Sequence, residues 1–201
     1  MSPGFRKTSR PIGHGDDPTV DAYFKARVTA RRGLKTFVAL LRAVNVGGTG
    51  KLPMNDLKAM CEAAGFAEVR TFIASGNVIF KSGKPEAGIR AALEASLKDY
   101  AGKPIGVLVR TAAELAAVLT ANPFPKAAPN LTVAIFLNKP PPAAALSQIT
   151  GQAGEEVRLG KREIYVHYRN GIGKSKLKIP AAADGTARNM NTIAKLTGLA
   201  G

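Results

Sequence analysis

The sequence predicts an α+β fold made of two related subdomains, each with an antiparallel sheet. Three observations predict it. From residue 35 onward, apolar residues alternate between a period of two and a period near 3.6, and the segments follow the order strand, helix, strand, strand, helix, strand. Gly and Pro fall at the joints between these segments. A second, looser version of the same order runs through residues 112–199. At 201 residues, 45% hydrophobic and 21% charged, the chain can bury a substantial core.

Residues 36–44 read as a buried strand and 53–64 as a helix, with Met54, Leu57, Met60, Cys61 and Ala64 on one stripe. Pro53 suits the first turn of that helix and Gly65 its stop. Residues 69–73 and 77–81 read as strands joined at Ser75-Gly76. A helix follows over 85–100, with Ile89, Ala92, Leu93, Ser96, Leu97 and Tyr100 at helical spacing, and a strand over 105–110 closes the unit. This βαββαβ order is the split-βαβ, or ferredoxin-like, signature.

The second half is predicted as a short helix over 112–119, a proline-containing loop over 122–130 and a strand over 131–137. A helix is expected after the three prolines 140–142, ending near Ile149. Strands over 155–159 and 163–168 flank Gly160-Lys161-Arg162, a tight hairpin in which the glycine can supply a positive φ. A final helix is expected over 186–199, with Met190, Ile193, Ala194 and Thr197 facing inward. Residues 1–33 lack apolar periodicity and carry three prolines and four glycines among Arg and Ser, so they are expected to form a disordered basic extension. The expected organisation is therefore that extension, a first ferredoxin-like subdomain over 34–110 and a second related one over 111–201.

The net charge is +15, of which residues 1–35 supply +5 and the remainder +10. The body is basic without its extension, a balance that suits polyanions as well as solubility. A single cysteine, Cys61, excludes an intramolecular disulfide and favours a reducing compartment, so the expected location is the cytoplasm. The longest wholly apolar runs are five residues, against about 20 needed to cross a bilayer, and no membrane partner is expected. The extension is Arg-rich, but Asp16, Asp17 and Asp21 oppose a transit peptide and no apolar segment supports secretion. A natural start downstream, near Val28 or Leu34, is a further expectation.

Three loops carry the candidate chemistry. In the segment from Arg42 to Lys51, Gly47, Gly48 and Gly50 let backbone N–H groups approach an anion ahead of a helix start, with Arg42 and Lys51 as charged arms. It is not a P-loop, because Asn45 and Leu52 stand where Gly and Ser or Thr are required. The segment from Tyr168 to Ser175 ends in Gly-Lys-Ser but also lacks the first glycine of that motif, and Pro180 limits any following helix. Lys174, Ser175 and Lys176 nevertheless make a basic, glycine-hinged stretch able to touch phosphates, or simply a solvated linker. In the third loop Thr186 is placed to cap the last helix, leaving Arg188, Asn189 and Asn191 in its first turns, where capping competes with ligand binding. Ser75 and Asn77 either form a turn or lend a hydroxyl and an amide to a site.

Catalytic constellations are thin. His14 lies in the extension and His167 in a strand with no adjacent acid, and Cys61 sits on a core stripe as an inert thiol. Metal-ligand spacing is absent, and no cofactor is expected. Phe37, Phe72, Phe80 and Phe136 are placed as strand core, while alternation puts Tyr165 and Tyr168 on opposite faces, which weakens a base-stacking platform.

The stretches Val38–Gly48, Lys51–Met54, Val69–Ile73 and Ser75–Phe80, with Gly171–Leu177 and Thr186–Thr192 near the end, resemble the signatures of a bacterial family known as domain of unknown function 1697. The resemblance covers residues 35–201. It implies two ferredoxin-like subdomains and brings no activity or catalytic residue. Met190 stands where that family usually has Trp.

The reading that follows is a cytoplasmic protein binding a phosphate-bearing ligand, RNA or single-stranded DNA, in a basic cleft between the subdomains. The candidate residues are Arg42, Asn45, Gly47, Gly48, Lys51, Ser75, Asn77, Lys174, Ser175, Lys176, Arg188, Asn189 and Asn191. Two alternatives stay open: an enzyme acting on a small phosphorylated or nucleotide-like substrate, and an adaptor or subunit domain whose sign would be a large exposed apolar patch.

Overall fold

A computed structural model describes residues 33–45 and 51–201. The basic extension through residue 32, with His14 and Val28, and the glycines Gly47 and Gly48 lie outside the described residues. The first sheet is built from β1 (Lys35–Leu41), β2 (Ala67–Phe72), β3 (Asn77–Ser82) and β4 (Val107–Thr111), with helix α1 (Met54–Ala63) before β2 and α2 (Glu86–Ala101) before β4. Its order is β2-β3-β1-β4 and every neighbouring pair is antiparallel. That order is the split-βαβ arrangement the sequence predicts.

β1 is apolar on both faces because both are covered. Phe37, Ala39 and Leu41 join Phe80, Val109 and the buried stripes of α1 (Leu57, Cys61) and α2 (Ile89, Leu93, Leu97) in one core. Pro53 precedes α1, and Gly65 follows it at φ 82°. Tyr100, at helical spacing with the core stripe of α2, is exposed and donates its hydroxyl to Asp56 at 2.9 Å.

The second half continues with α3 (Ala112–Thr120), β5 (Thr132–Phe136), β6 (Glu156–Leu159), β7 (Glu163–His167), β8 (Thr186–Asn189) and α4 (Met190–Ala200). Its sheet has the order β6-β7-β5-β8, again antiparallel, and so repeats the first strand for strand. The registers repeat as well. Leu40 faces Asn77 as Phe136 faces Glu163, and Val38 faces Arg110 as Ala134 faces Arg188. Even the bond that closes each strand end recurs, with Leu41 N–H donating to Gly76 O and Leu137 N–H to Arg162 O, both at 2.8 Å.

Three expectations about this half are corrected. Between β5 and β6 only a 3₁₀ turn, Ala143–Ala145, forms instead of a helix, because its alanines offer no apolar stripe to bury. Residues 186–189 are strand β8 rather than the first turn of the last helix; Thr186 gives its hydroxyl to Leu41 O, and Asn189 caps α4 by accepting from Thr192 N–H at 2.9 Å. Leu196 rather than Ala194 is buried on α4, beside Met190, Ile193 and Ala200. A fourth concerns Gly160, whose φ is not positive. A Cβ there would lie 2.6 Å from Glu163 Oε1 and 2.7 Å from the Tyr165 ring, so crowding rather than backbone conformation requires glycine.

The inner faces of both sheets share one core with α3 and α4. Val38, Leu40, Ile79 and Leu108 of the first sheet and Ala134, Phe136 and Tyr165 of the second pack with Leu115, Val118, Ile193 and Leu196. Tyr165 fixes this layer by donating its hydroxyl to Val118 O at 2.9 Å. The outer face of the second sheet is covered by irregular chain, in which Ile149, Tyr168, Leu177 and Ile179 pack on Val133, Ile164 and Val166. Tyr165 and Tyr168 thus lie on opposite faces, as alternation requires.

α3 opens with a reciprocal capping box: Thr111 Oγ1 accepts from Glu114 N–H, and Glu114 Oε2 accepts from Thr111 N–H at 2.9 Å. Burial pushes the Glu114 carboxyl up, but the two Thr111 bonds and the Arg162 and Arg110 charges outweigh it and hold the group below its ordinary 4.5. The folded state therefore binds this proton less readily than the unfolded chain, so its contribution is full above 4.5 and is lost as pH falls below it. Glu114→Gln should cost about 1 kcal/mol at neutral pH and flatten the acid limb of stability, read as urea midpoints between about pH 6 and 3.

Candidate functional site

Five of the sequence-predicted site residues come together where the end of β1, the β2–β3 turn and β8 meet. Arg188, only 7% exposed, is the centre. Its Nε donates to Asn77 Oδ1 at 2.6 Å. Nη1 donates to Thr186 Oγ1 and Ala187 O, both at 2.8 Å, and Nη2 to Ser75 O at 2.9 Å and Leu41 O at 3.0 Å. All five guanidinium N–H groups are engaged, each with a neutral acceptor. Burial lowers the Arg188 pKa to about 10, which still leaves the group charged at neutral pH.

Asn77 is fully buried and donates its amide to Phe72 O at 3.0 Å and Ser75 Oγ at 3.1 Å, so it shapes the turn that Arg188 grips. Gly76 is required twice over, by φ 77° and by the 2.4 Å that would separate its Cβ from Val44 Cγ2. Asn45 clamps the adjoining loop: it accepts from Leu52 N–H at 2.7 Å and donates to Leu52 O at 3.0 Å and Ala74 O at 2.7 Å. These contacts make Arg188, Asn77 and Asn45 the framework of the junction, with their polar atoms committed to protein partners.

The accessible charge lies at its rim. Arg42 Nη1 pairs with Asp184 Oδ1 at 2.9 Å, with the two side chains 41% and 93% exposed. Lys51 is exposed where the clamped loop re-enters α1. Ala43, Asn45 and Ile73 all have φ between 50° and 55°, the left-handed region that a β-branched residue such as Ile73 rarely adopts. Ile73 is 49% exposed, so this strain is held at the surface of the same loop pair, the placement expected of a binding region.

The other candidates are engaged elsewhere. Ser175 donates its hydroxyl to Glu155 and accepts from Leu177 N–H, which fastens the 174–177 segment against the start of β6, while Lys174 and Lys176 are exposed. Asn189 is the helix cap and Asn191 is exposed on α4. Cys61 is buried in the first core, and burial raises its thiol to about 12, as an inert core cysteine requires. His167 lies 3.8 Å from Glu156 with its ring against Phe124. Among the described residues, no group of three or more His, Cys, Asp or Glu could hold a metal, and no helix is long and apolar enough to cross a membrane.

Sequence reasoning missed the mirror of this junction. Arg110 of β4, 1% exposed, occupies the place of Arg188 and reaches into the second half, with Nη2 donating to Leu137 O at 2.6 Å and Arg162 O at 3.0 Å. Nη1 donates to Val109 O at 2.8 Å, and the guanidinium lies 5.5 Å from the Phe136 ring centroid. Glu163 stands where Asn77 stands in the first half and shapes its own turn by accepting from Lys161 N–H and Arg162 N–H. The available signal was an Arg followed by a capping residue at the end of each fourth strand, Arg110-Thr111 and Arg188-Asn189.

The family model described as protein of unknown function (DUF1697) matches residues 34–165. The chain belongs to this family. The DUF1697 match includes Arg42, Asn45, Ser75, Asn77 and Arg110 and stops short of Arg188. Among solved structures, the chain is similar to the conserved bacterial protein SP0830 from Streptococcus pneumoniae, with a TM-score of 0.70 and 21% identity over 84% of this chain and 99% of that one. At that identity the likeness concerns fold. No curated protein matches the chain.

Removing the Arg188 guanidinium would leave Asn77 Oδ1 and Ser75 O without their donor and Leu41 O with the Thr186 hydroxyl alone. Arg188→Ala should cost about 3 kcal/mol or more, and Arg188→Lys nearly as much, since one ammonium cannot reach acceptors spread around a planar fork. Urea denaturation followed by circular dichroism checks both.

Proposed function

We propose that the protein binds a phosphate-bearing polyanion, single-stranded RNA or DNA, in the cytoplasm, across the rim formed by Arg42, Lys51 and the strained β2–β3 turn. The observation that carries this reading is the Arg42–Asp184 pair. Both side chains face solvent, so the pair contributes little to stability, and a phosphate can replace the Asp184 carboxylate with a charge-assisted bond of similar geometry. Asn45, Asn77 and Arg188 act beneath it by fixing the two loops, so the rim is preorganised. Gly47 and Gly48, between Asn45 and Lys51 in the sequence, suit a close approach of backbone N–H groups to phosphate. The +10 carried by residues 36–201 supplies the long-range attraction.

The test is fluorescence anisotropy of labelled oligouridylate and oligothymidylate with the full chain and its variants, so that the charge of the extension is constant. Affinity should fall steeply as salt rises. Arg42→Ala should weaken binding about threefold to tenfold, and Asp184→Asn, which removes the competing carboxylate, should strengthen it about twofold to fivefold. Equal affinity in all three proteins would refute the site.

A further inference from the structure

Because the two sheets share one strand order, the helices that follow their fourth strands can be compared position by position. α3 and α4 follow their fourth strands from the same position, so Leu115 and Val118 match the buried Ile193 and Leu196. By the same register Ala117 and Ala121 occupy the places of Lys195 and Leu199. With alanines there, a cleft of about 350 Å³ opens between α3 and the β6–β7 hairpin. That volume is at the small end of the range of small-molecule sites, about 300–1,000 Å³.

The cleft has an apolar wall and a charged floor. Ala117, Val118, Ala121, Pro123, Leu159 and the Tyr165 ring form the wall. Arg110 forms the floor, and its hydrogen bonds use Nη1 and Nη2 alone. In the first half the corresponding Nε, that of Arg188, donates to Asn77 Oδ1. Here Glu163 replaces Asn77 and spends its carboxylate on Lys161 N–H and Arg162 N–H, so among the described residues the Arg110 Nε has no acceptor. No carboxylate of the described residues lies within salt-bridge distance of Arg110 either, because Glu86 and Glu114 are paired with Arg162 at 2.8 Å. Arg110, 1% exposed, thus lines a largely apolar cleft with an N–H that no described residue accepts, and the exposed Lys161 lines the same cleft.

We propose that this cleft binds a small monocarboxylate with an apolar body, its carboxylate taken by Arg110 Nε and Lys161 and its body laid on the α3 wall. The chemistry selects that class in two ways. A single free N–H at the floor suits one carboxylate oxygen, and the neighbouring Glu114 and Glu163 oppose a dianion such as phosphate. The wall gives no hydrogen bonds to a polar body but removes apolar surface from water. The site is separate from the Arg42 rim, and neither reading depends on the other.

The experiment is a titration of the full chain, labelled with ¹⁵N, with 3-phenylpropionate, its neutral amide and inorganic phosphate, followed by amide chemical shifts. The carboxylate should shift residues 114–123 and 159–165, with the amide and phosphate each at least about tenfold weaker. Ala117→Leu fills the cleft from its solvent side and should reduce carboxylate affinity about tenfold or more. Lys161→Met keeps the stem, removes the charge and should reduce affinity about threefold while leaving the amide unaffected. No shifts at millimolar carboxylate, equal binding of the amide, equal binding of phosphate, or full affinity in Ala117→Leu in a protein with the wild-type spectrum would each overturn the proposal.

Discussion

Each half of this molecule is fastened by an arginine that belongs to the other. Arg188, on the fourth strand of the second sheet, donates into the β2–β3 turn and the end of β1; Arg110, on the fourth strand of the first, donates into the β6–β7 turn and the end of β5. Most of the acceptors are main-chain carbonyls at turns and strand ends, joined at Arg188 by Asn77 Oδ1 and the Thr186 hydroxyl, and both guanidiniums are buried. Burying two such charges is costly in itself. The cost is offset only while both turns, both strand ends and the shared α3–α4 core are in place, so local geometry and global assembly depend on one another.

That dependence organises the surface. Because Arg188 and Asn77 fix the β2–β3 turn from below, Ile73 can be held at positive φ and Asn45 can bridge to Ala74. Because Arg110 and Glu163 fix the β6–β7 turn by a different bonding pattern, the second half has a cleft in place of a saturated guanidinium. One duplicated scaffold thus presents two different surfaces, separated by a few substitutions: Asn77 against Glu163, and Lys195 and Leu199 against Ala117 and Ala121.

Much of the scaffold was legible in the sequence, because strands and helices with strong periodicity bury a face that their own residues define. β1, α1, β3 and α2 follow from apolar spacing and from Pro53, Gly65 and Pro85 alone. β8 was not legible. Its four residues, Thr-Ala-Arg-Asn, have no apolar alternation, and pairing with β5 a long way back in the chain makes them a strand. The helix expected after the 140–142 prolines failed for the converse reason, since a favourable composition had no face to bury. The sequence marks Arg188 and Asn77 as polar groups near an apolar stripe, but their hydrogen-bond partners are protein groups, and carbonyls at a turn leave no mark in a sequence. Arg110 was overlooked because it reads as an ordinary end to an apolar strand.

The reciprocal fastening makes a direct claim about cooperativity, and native-state hydrogen exchange tests it at two amides. Leu41 N–H and Leu137 N–H close equivalent strand ends on Gly76 O and Arg162 O, one in each half. If each half is held by the other's arginine, neither can open alone, and both amides should exchange through global unfolding with the same free energy and the same denaturant dependence. Exchange of one amide through a lower-energy, partial opening, with the other still protected, would contradict the account.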